Sequence, residues 1–194
     1  MTNKSYFETI KCVDGELFHM PYHQKRYDSV LKSLGVEEIE NLENHLNPPS
    51  YGLYRCRLVY TADSISVSYH EYTKRDITSL KVVFTNDIEY PLKSTNREAL
   101  DALYEQRGDG DDVLIIKNLM VTDTSIANIA LYRDGKWLTP KNPLLKGTTR
   151  ARLLDEGKIV EAQIKVNELR SFTKVALLNA MIDFDILEKC EFLV

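Results

Sequence analysis

Hydrophobic and polar residues alternate along much of the first third of the chain, which is the pattern of half-buried antiparallel strands. Two such runs, 6–12 and 16–19, flank an Asp-Gly pair, a strong signal for a tight hairpin turn. Two longer runs, 51–60 and 64–72, are separated by Thr-Ala-Asp and predict a second hairpin. The chain therefore opens with four antiparallel strands.

Two helices are expected between these hairpins. The first begins at Pro21 and ends at Gly35, because apolar residues recur there at helical spacing, and because proline is favoured in the first turn and glycine after the last. The second covers 37–46 and stops at Asn47-Pro48-Pro49, since a proline disfavours helical conformation in the residue before it.

The pattern changes near residue 80, where the strands become apolar without alternation. Three such runs are 80–84, 113–116 and 175–178. Strands that are apolar on both faces are typical of central strands covered by helices, and helical patterns lie between them at 96–106 and 148–156. We therefore expect an antiparallel α+β domain over residues 1–76 and a mixed α/β domain over 77–194.

Composition and charge exclude several classes of protein. A net charge of −4 gives no electrostatic reason to expect nucleic acid or an anionic membrane as partner, and no apolar run approaches the roughly 20 residues that span a bilayer. Cys12, Cys56 and Cys190 are odd in number, and the four histidines form no HExxH-type pair. We expect a soluble cytoplasmic protein with reduced thiols and no metal.

Lys93 is the first candidate for chemistry. It follows a predicted buried strand and precedes a helix for which Thr95 or Asn96 would be the cap. Apolar surroundings lower the pKa of a lysine, and only the neutral amine attacks a carbonyl carbon. The alternative is an ordinary solvated loop lysine.

Two further segments combine small, polar and apolar residues in a way that suits a binding site. Residues 121–131 suggest backbone that lines a site, with Asp123 available to pair with a cationic group or, alternatively, to form an Asx turn. Gly147, Thr148 and Thr149 stand at a predicted helix start, where backbone N–H groups attract anions such as phosphate. The alternative there is plain N-capping, with glycine chosen for turn geometry.

Arg55 and Arg57 form a possible substrate site. They are two residues apart on a predicted strand, so both side chains point to one face, together with Leu53 and Val59. Paired guanidinium groups could hold a substrate carboxylate, and an equally good interpretation is a pair of surface arginines.

In combination these segments resemble the class IV aminotransferases, the pyridoxal 5'-phosphate (PLP) enzymes of fold type IV. The resemblance covers nearly the whole chain. Its blocks are Phe7-Glu8-Thr9, His23-x-x-Arg26, the Lys93 segment, Asp123-x-x-x-x-Asn128-Ile129, Thr139-Pro140 and Leu145-x-Gly147-Thr148-Thr149-Arg150. Near the end, Leu178-Asn179-Ala180-Met181 looks like the 4-amino-4-deoxychorismate lyase branch of the family.

The resemblance implies roles for the matched residues. Lys93 matches the lysine that forms a Schiff base with PLP, and Arg26 matches the arginine that grips the cofactor phosphate, a task for which a bidentate donor is suited. Residues 147–149 match the family's Gly-Ile-Thr phosphate loop.

Asp123 is a departure from the family pattern. It stands where the family usually has glutamate, whose carboxylate pairs with the pyridine nitrogen and keeps it protonated. Aspartate keeps the charge but is one methylene shorter, so the ring must lie nearer or the backbone must shift. Asn128 and Asn179 match motif positions with an expected role in structural support.

The implied fold is the two-domain fold of D-amino-acid aminotransferase, with the cofactor site between the domains. Longer relatives extend beyond both the Phe7 block and the Asn179 block, so we expect a member truncated at both ends. The family also implies a homodimer and a small amino-acid-like substrate.

Three functions remain open on this evidence. The leading one is cleavage of aminodeoxychorismate to 4-aminobenzoate and pyruvate, a step of folate biosynthesis. The second is a class IV aminotransferase acting on branched-chain or D-amino acids. The third, motivated by the short ends and by Asp123, is a PLP-binding homologue without turnover.

Overall fold

The computed structural model describes residues 4–194. The chain divides into two compact units. The first contains residues up to Lys74 together with the segment Leu92–Asn96, and the second contains Arg75–Pro91 and Arg97–Val194. Lys93 therefore groups with the first unit, whereas the sequence-based boundary at 76/77 placed it in the second.

The first unit contains a four-stranded antiparallel sheet. Its strands are β1 (Tyr6–Val13), β2 (Glu16–Leu17), β3 (Leu53–Tyr60) and β4 (Ile65–Glu71). Their order is β2-β1-β3-β4, and all pairs are antiparallel. Asp14 and Gly15 form the turn between β1 and β2 with φ values of 48° and 84°, the conformation for which Asp-Gly is favoured. Both predicted hairpins are confirmed.

A long helix covers one face of this sheet. Helix α1 (Met20–Ser33) has a proline in its first turn, and Gly35, with φ of 83°, follows its end, as the sequence predicted. Its buried residues Tyr27 and Val30 pack with Ile10 of β1 and Leu58 of β3 in one apolar cluster. The alternation of the strands thus places one row of side chains in this core.

The predicted helix over 37–46 is wrong. Only a single 3₁₀ turn, Leu42–His45, forms there, with the side chain of Asn41 accepting a hydrogen bond from the backbone N–H of Glu43. A helix that begins after Asn41 would have only a few residues before Pro48, which is too few for a stable α-helix.

The second unit contains a nine-stranded mixed sheet. Its strands are β5 (Ser79–Thr85), β6 (Asp112–Lys117), β7 (Met120–Thr124), β8 (Asn128–Arg133), β9 (Lys136–Pro140), β10 (Val160–Ala162), β11 (Lys174–Asn179), β12 (Asp183–Ile186) and β13 (Glu191–Leu193). Seven follow the order β10-β9-β8-β7-β6-β5-β13, while β11 pairs with β8 and β12. The pairs β5–β6, β5–β13 and β9–β10 are parallel.

Apolar clusters cover both faces of this sheet, as the continuous apolar runs predicted. Helix α2 (Glu98–Tyr104) packs against β6 through Leu100 and Leu103, and helix α3 (Thr148–Asp155) packs against β8 and β11 through Leu153. Shorter 3₁₀ segments are Glu105–Arg107 and Val166–Ser171. None of the helices within residues 4–194 has the length and apolar character to span a bilayer.

The expected cap of α2 is wrong. Arg97 precedes the helix and makes no side-chain capping bond. Thr95 is engaged instead with Ser5, since the two hydroxyl oxygens are 2.5 Å apart and the backbone N–H of Thr95 donates to the Ser5 carbonyl. Thr95 thus ties the Lys93 segment to the beginning of β1 and does not serve the helix.

Candidate active site

Lys93 lies beside the first strand of the sheet in the first unit. The backbone N–H of Phe7 donates to the Lys93 carbonyl at 2.9 Å, and a further bridge joins Tyr6 to Ser94. The Lys93 side chain is half-buried, with its Nζ 4.6 Å from the centre of the Phe7 ring. This aromatic, partly buried position differs from that of an ordinary solvated loop lysine.

Arg57 lies over the same ring. Its guanidinium carbon is 4.2 Å from the ring centre of Phe7, so it lies within about 9 Å of the Lys93 Nζ. Arg55 shares its strand face, as predicted, but it is exposed and pairs across strands with His70 and Lys11. The two arginines therefore occupy different environments, and only Arg57 stacks on Phe7.

Arg26 is held by a buried carboxylate. Its Nε donates to Glu8 Oε1 at 2.7 Å and its Nη2 to Oε2 at 2.5 Å, while Nδ1 of the buried His23 is 2.7 Å from Oε2. Helix α1 carries Arg26 and His23, and β1 carries Glu8. A guanidinium group has five N–H donors, so this pairing is chemically compatible with an anion on Arg26.

Glu8 is fully buried and remains ionised. Burial raises the pKa of its carboxyl group, but the charge of Arg26 and the hydrogen bonds from His23 and Arg26 outweigh this, and the pKa falls to about 2. No role for Glu8 was predicted from the sequence. Its signal was available, because a glutamate on the core face of a strand, between Tyr6 and Ile10, requires a cationic partner.

Both carboxylate oxygens of Asp123 accept hydrogen bonds. Asn128 Nδ2 donates to its Oδ1 at 2.6 Å, and the backbone N–H of Leu145 donates to its Oδ2 at 2.9 Å. Asp123 is the fourth residue of β7 and pairs directly with Asn128 of β8. Its hydrogen bonds reach residues 5 and 22 positions further along the chain, so the Asx-turn alternative is wrong.

The Asp123 carboxyl group titrates near neutrality. Burial raises its pKa to about 6, and hydrogen bonds from Leu145 and Asn128, together with the charge of Arg150, limit the rise. Charge on this buried group is therefore costly unless a cation approaches it. Such a carboxylate is suited to pairing with a cationic ring nitrogen.

The predicted start of α3 is confirmed at Thr148. Gly147 is the N-cap residue with φ of −69°, so the glycine is not required by turn geometry. A methyl group at position 147 would instead overlap Asn128 Oδ1. Thr148 and Thr149 are both buried in the first turn, where the backbone N–H groups and the helix dipole favour an anion.

Within the second unit, the structure brings Asp123 and Gly147 together through Asn128 and Leu145. Within the first unit, it brings Lys93 and Arg57 together on Phe7. Asn179 has a local role, since its Oδ1 accepts hydrogen bonds from the N–H groups of Met181 and Ile182. Residues 4–194 contain no cluster of three or more His, Cys, Asp or Glu residues suited to a metal ion.

Comparisons with known proteins identify the family of this chain. The model of the family "Amino-transferase class IV" matches residues 5–184. An uncharacterized Haemophilus influenzae protein is 37% identical over 181 residues, which cover 90% of this chain and 96% of the relative. A Schizosaccharomyces pombe protein named "Putative aminodeoxychorismate lyase" is 30% identical over 203 residues, covering 93% of this chain and 87% of its own.

One solved structure is similar in both sequence and fold. It is the crystal structure of a "putative 4-amino-4-deoxychorismate lyase" from Haemophilus somnus, 33% identical, with a TM-score of 0.83 over 93% of this chain and 98% of that one. This near-complete coverage means that the compact length is shared with relatives. By its sequence and its fold, the chain belongs to the class IV amino-transferases, a family of PLP-dependent enzymes.

Proposed function

We propose that this protein is an aminodeoxychorismate lyase, which cleaves its substrate to 4-aminobenzoate and pyruvate. The observation that carries the proposal is the similarity to the Haemophilus somnus protein over nearly the full length of both chains. The relative from Schizosaccharomyces pombe carries a corresponding name. The motif Leu178-Asn179-Ala180-Met181 points to the same branch of the family.

The residues present fit PLP. Asp123 offers a buried carboxylate whose charge a pyridinium nitrogen would stabilise. Thr148 and Thr149 offer an anion site at the start of α3, and Arg26 supplies a cation for the phosphate. Lys93 provides the amine that binds the cofactor covalently. When bound, PLP would accept the electron pair left on the substrate Cα when the proton there is removed.

Lys93 also carries the proton transfers of the proposed reaction. Its amine, once released by the substrate, removes the proton from the substrate Cα and delivers a proton to the methylene carbon of the departing three-carbon fragment. The bond between the ring carbon and the oxygen of that fragment breaks after the Cα proton is removed, and the ring becomes aromatic, which drives the reaction. Arg57, fixed on Phe7 near Lys93, is the better of the two arginines for a substrate carboxylate, since Arg55 is exposed.

The second candidate is an aminotransferase acting on branched-chain or D-amino acids. It uses the same lysine and the same cofactor, so the catalytic core is common to both functions. The two functions differ in the final proton transfer. The lyase returns the proton to the leaving fragment, whereas the aminotransferase returns it to the cofactor. The family name of the matching model favours keeping this candidate.

The proposal is tested on the purified protein loaded with PLP. Borohydride should fix the cofactor to Lys93, as mapped by mass spectrometry, and Lys93→Ala should lose the visible absorbance and turnover. Lys93→Arg should not restore activity, because guanidinium stays protonated. Lys146→Arg, which alters an exposed lysine beside Gly147, is the matched control. An adduct on Lys146 or Lys117 would overturn the site.

Substrate assays separate the three functions. Release of 4-aminobenzoate and pyruvate from aminodeoxychorismate supports the lyase. Conversion of the cofactor to its pyridoxamine form by amino acids supports the aminotransferase. Binding of PLP with neither reaction identifies a homologue without turnover.

We also propose that the protein is a homodimer, as the family resemblance implies. Apolar side chains that remain largely exposed support an association, among them Phe84 and Val160. Sedimentation at micromolar concentration should give about twice the mass of one chain. A monomer that still holds PLP would contradict the proposal.

A further inference from the structure

Asn128 is the centre of a closed set of hydrogen bonds in the second unit. Its Nδ2 donates both to Asp123 Oδ1, at 2.6 Å, and to the Leu145 carbonyl, at 2.8 Å. Leu145 in turn donates its backbone N–H to Asp123 Oδ2 at 2.9 Å. Both protons of one amide group and both oxygens of one carboxylate are used in this ring. The backbone of Leu145 is consequently held at its N–H and its carbonyl group at once.

The side-chain oxygen of Asn128 determines which residue fits at position 147. Its Oδ1 occupies the space that a Cβ at residue 147 would need. Gly147 is the N-cap of α3, and its φ of −69° is accessible to any residue. The glycine is thus required by the approach of Asn128 and not by the backbone conformation.

We propose that Asn128 is a positioning residue that couples the two ends of the cofactor site. One end is the Asp123 carboxylate, which would face the pyridine nitrogen, and the other is the start of α3, which would face the phosphate. The inference rests on the proposed function in so far as these ends bind PLP. A change at Asn128 therefore alters the phosphate end and the ring end together, although its side chain is assigned no contact with either group.

This coupling explains how an aspartate can stand at position 123, where the family usually has the longer glutamate. The short side chain is fixed at both oxygens by Asn128 and Leu145, so its position is set relative to the loop that leads into α3. The spacing between the carboxylate and the helix start is then determined by one amide group. Hydrogen bonds to a charged group are stronger than neutral ones, which makes this ring a rigid connection.

A double-mutant cycle on the protein without cofactor tests the contact at position 147. Gly147→Ala should destabilise the wild-type background by an overlap that the Asn128→Ala background lacks. We expect the loss of unfolding midpoint caused by Gly147→Ala to shrink at least by half when Asn128 is alanine. Equal losses in both backgrounds would overturn the inference. This arm does not depend on PLP and so fails independently of the proposed function.

Ligand affinities test the coupling itself. The ratio of the affinities for PLP and for pyridoxal, which lacks the phosphate, measures the contribution of the phosphate end. Lys93→Ala, which removes the amine proposed to bind the aldehyde of both ligands and lies outside the ring of hydrogen bonds, should weaken both ligands and leave this ratio within about twofold. Asn128→Ala should weaken both ligands and also reduce the ratio at least fivefold, because the start of α3 is no longer fixed.

An unchanged ratio in Asn128→Ala would show that Asn128 only stabilises the fold, and it would overturn the inference. Thr139→Val, which removes a buried hydroxyl of β9 that donates to the Ile129 carbonyl outside the ring of hydrogen bonds, is the control and should keep the ratio. If the wild-type protein bound neither ligand, the proposed function would fail, while the cycle at position 147 would still decide the contact.

Discussion

At the scale of single residues, two buried carboxylates respond to burial in opposite ways. Glu8 has two strong donors in Arg26 and His23, and its pKa falls to about 2. Asp123 has only neutral donors in direct contact, and its pKa rises to about 6. One carboxylate is therefore satisfied by the protein itself, whereas the other remains available for a cation from outside the chain.

Asp123→Asn should change the pH dependence of stability in the protein without cofactor. A raised pKa stabilises the folded state at low pH, and this contribution is lost as the pH rises through about 6. The variant lacks this loss, so its stability relative to wild type should increase between pH 4 and pH 7. A difference of one in pKa corresponds to about 1.4 kcal/mol, which sets an upper limit of roughly 3 kcal/mol. Urea unfolding at several pH values measures it, and a relative stability that is constant with pH would contradict it.

Glu8→Gln should show the opposite pH dependence. The lowered pKa of Glu8 gives a stabilising contribution that is complete above the usual glutamate range and is lost as the pH falls toward about 2. Breaking such a buried pair costs about 3–5 kcal/mol near neutral pH. The difference in unfolding free energy between wild type and Glu8→Gln should therefore decrease as the pH is lowered below about 4.5. Chemical unfolding at several pH values measures this difference. Glu16→Gln, at an exposed position on β2, should change stability by less than about 0.5 kcal/mol.

At the scale of secondary structure, elements with both a periodic pattern and a clear end signal were predicted well. Helix α1 had proline at its start and glycine after its end, and β6 had an uninterrupted apolar run. The segment 37–46 was followed by prolines that would end a helix, but it lacked a starting cap before Asn41. Local pattern could not reveal that Thr95 is engaged with Ser5, because that contact joins residues 90 positions apart.

The hairpin between β6 and β7 contains a strained residue. Asn118 and Leu119 have φ values of 52° and 64°, and the Leu119 side chain is 66% exposed. Leu119→Gly should therefore relieve backbone strain at little cost in buried area, and we expect a gain of about 0.5–1 kcal/mol in thermal or urea unfolding. The reverse change, Gly135→Ala in the turn between β8 and β9, should destabilise, since Gly135 has φ of 78° and open space around it. A loss of stability in Leu119→Gly would show that this side chain makes a contact that compensates for the strain.

The candidate site was predicted from sequence to the extent that its groups carry motifs. Lys93, Asp123 and Gly147 were found because their residue types and spacing match a family, and the reason for glycine at 147 emerged only from the position of Asn128. The roles of Glu8 and Leu145 depend on contacts between distant segments. A backbone N–H group such as that of Leu145 leaves no trace in residue type, so no sequence pattern could have identified it.

At the scale of the whole molecule, the residues that the family resemblance assigns to the cofactor fall in both units. Lys93 and Arg26 belong to the first unit, and Asp123 and residues 147–149 to the second. A ligand that binds only the folded protein stabilises it by about 2.7 kcal/mol at a concentration one hundred times its dissociation constant. If residues of both units bind PLP, the bound ligand should stabilise the folded state of each unit.

Hydrogen exchange with and without PLP can measure this distribution. We expect slower amide exchange in Leu92–Asn96 of the first unit and in residues 145–150 of the second at the same ligand concentration. Arg26→Lys should retain a charge beside Glu8 but lose the bidentate geometry, so it should bind PLP about tenfold more weakly while keeping the same two protected segments. Inorganic phosphate alone should protect the start of α3 without protecting the Lys93 segment. If PLP protected only residues of the second unit, the result would contradict the proposal that Lys93 and Arg26 hold the cofactor.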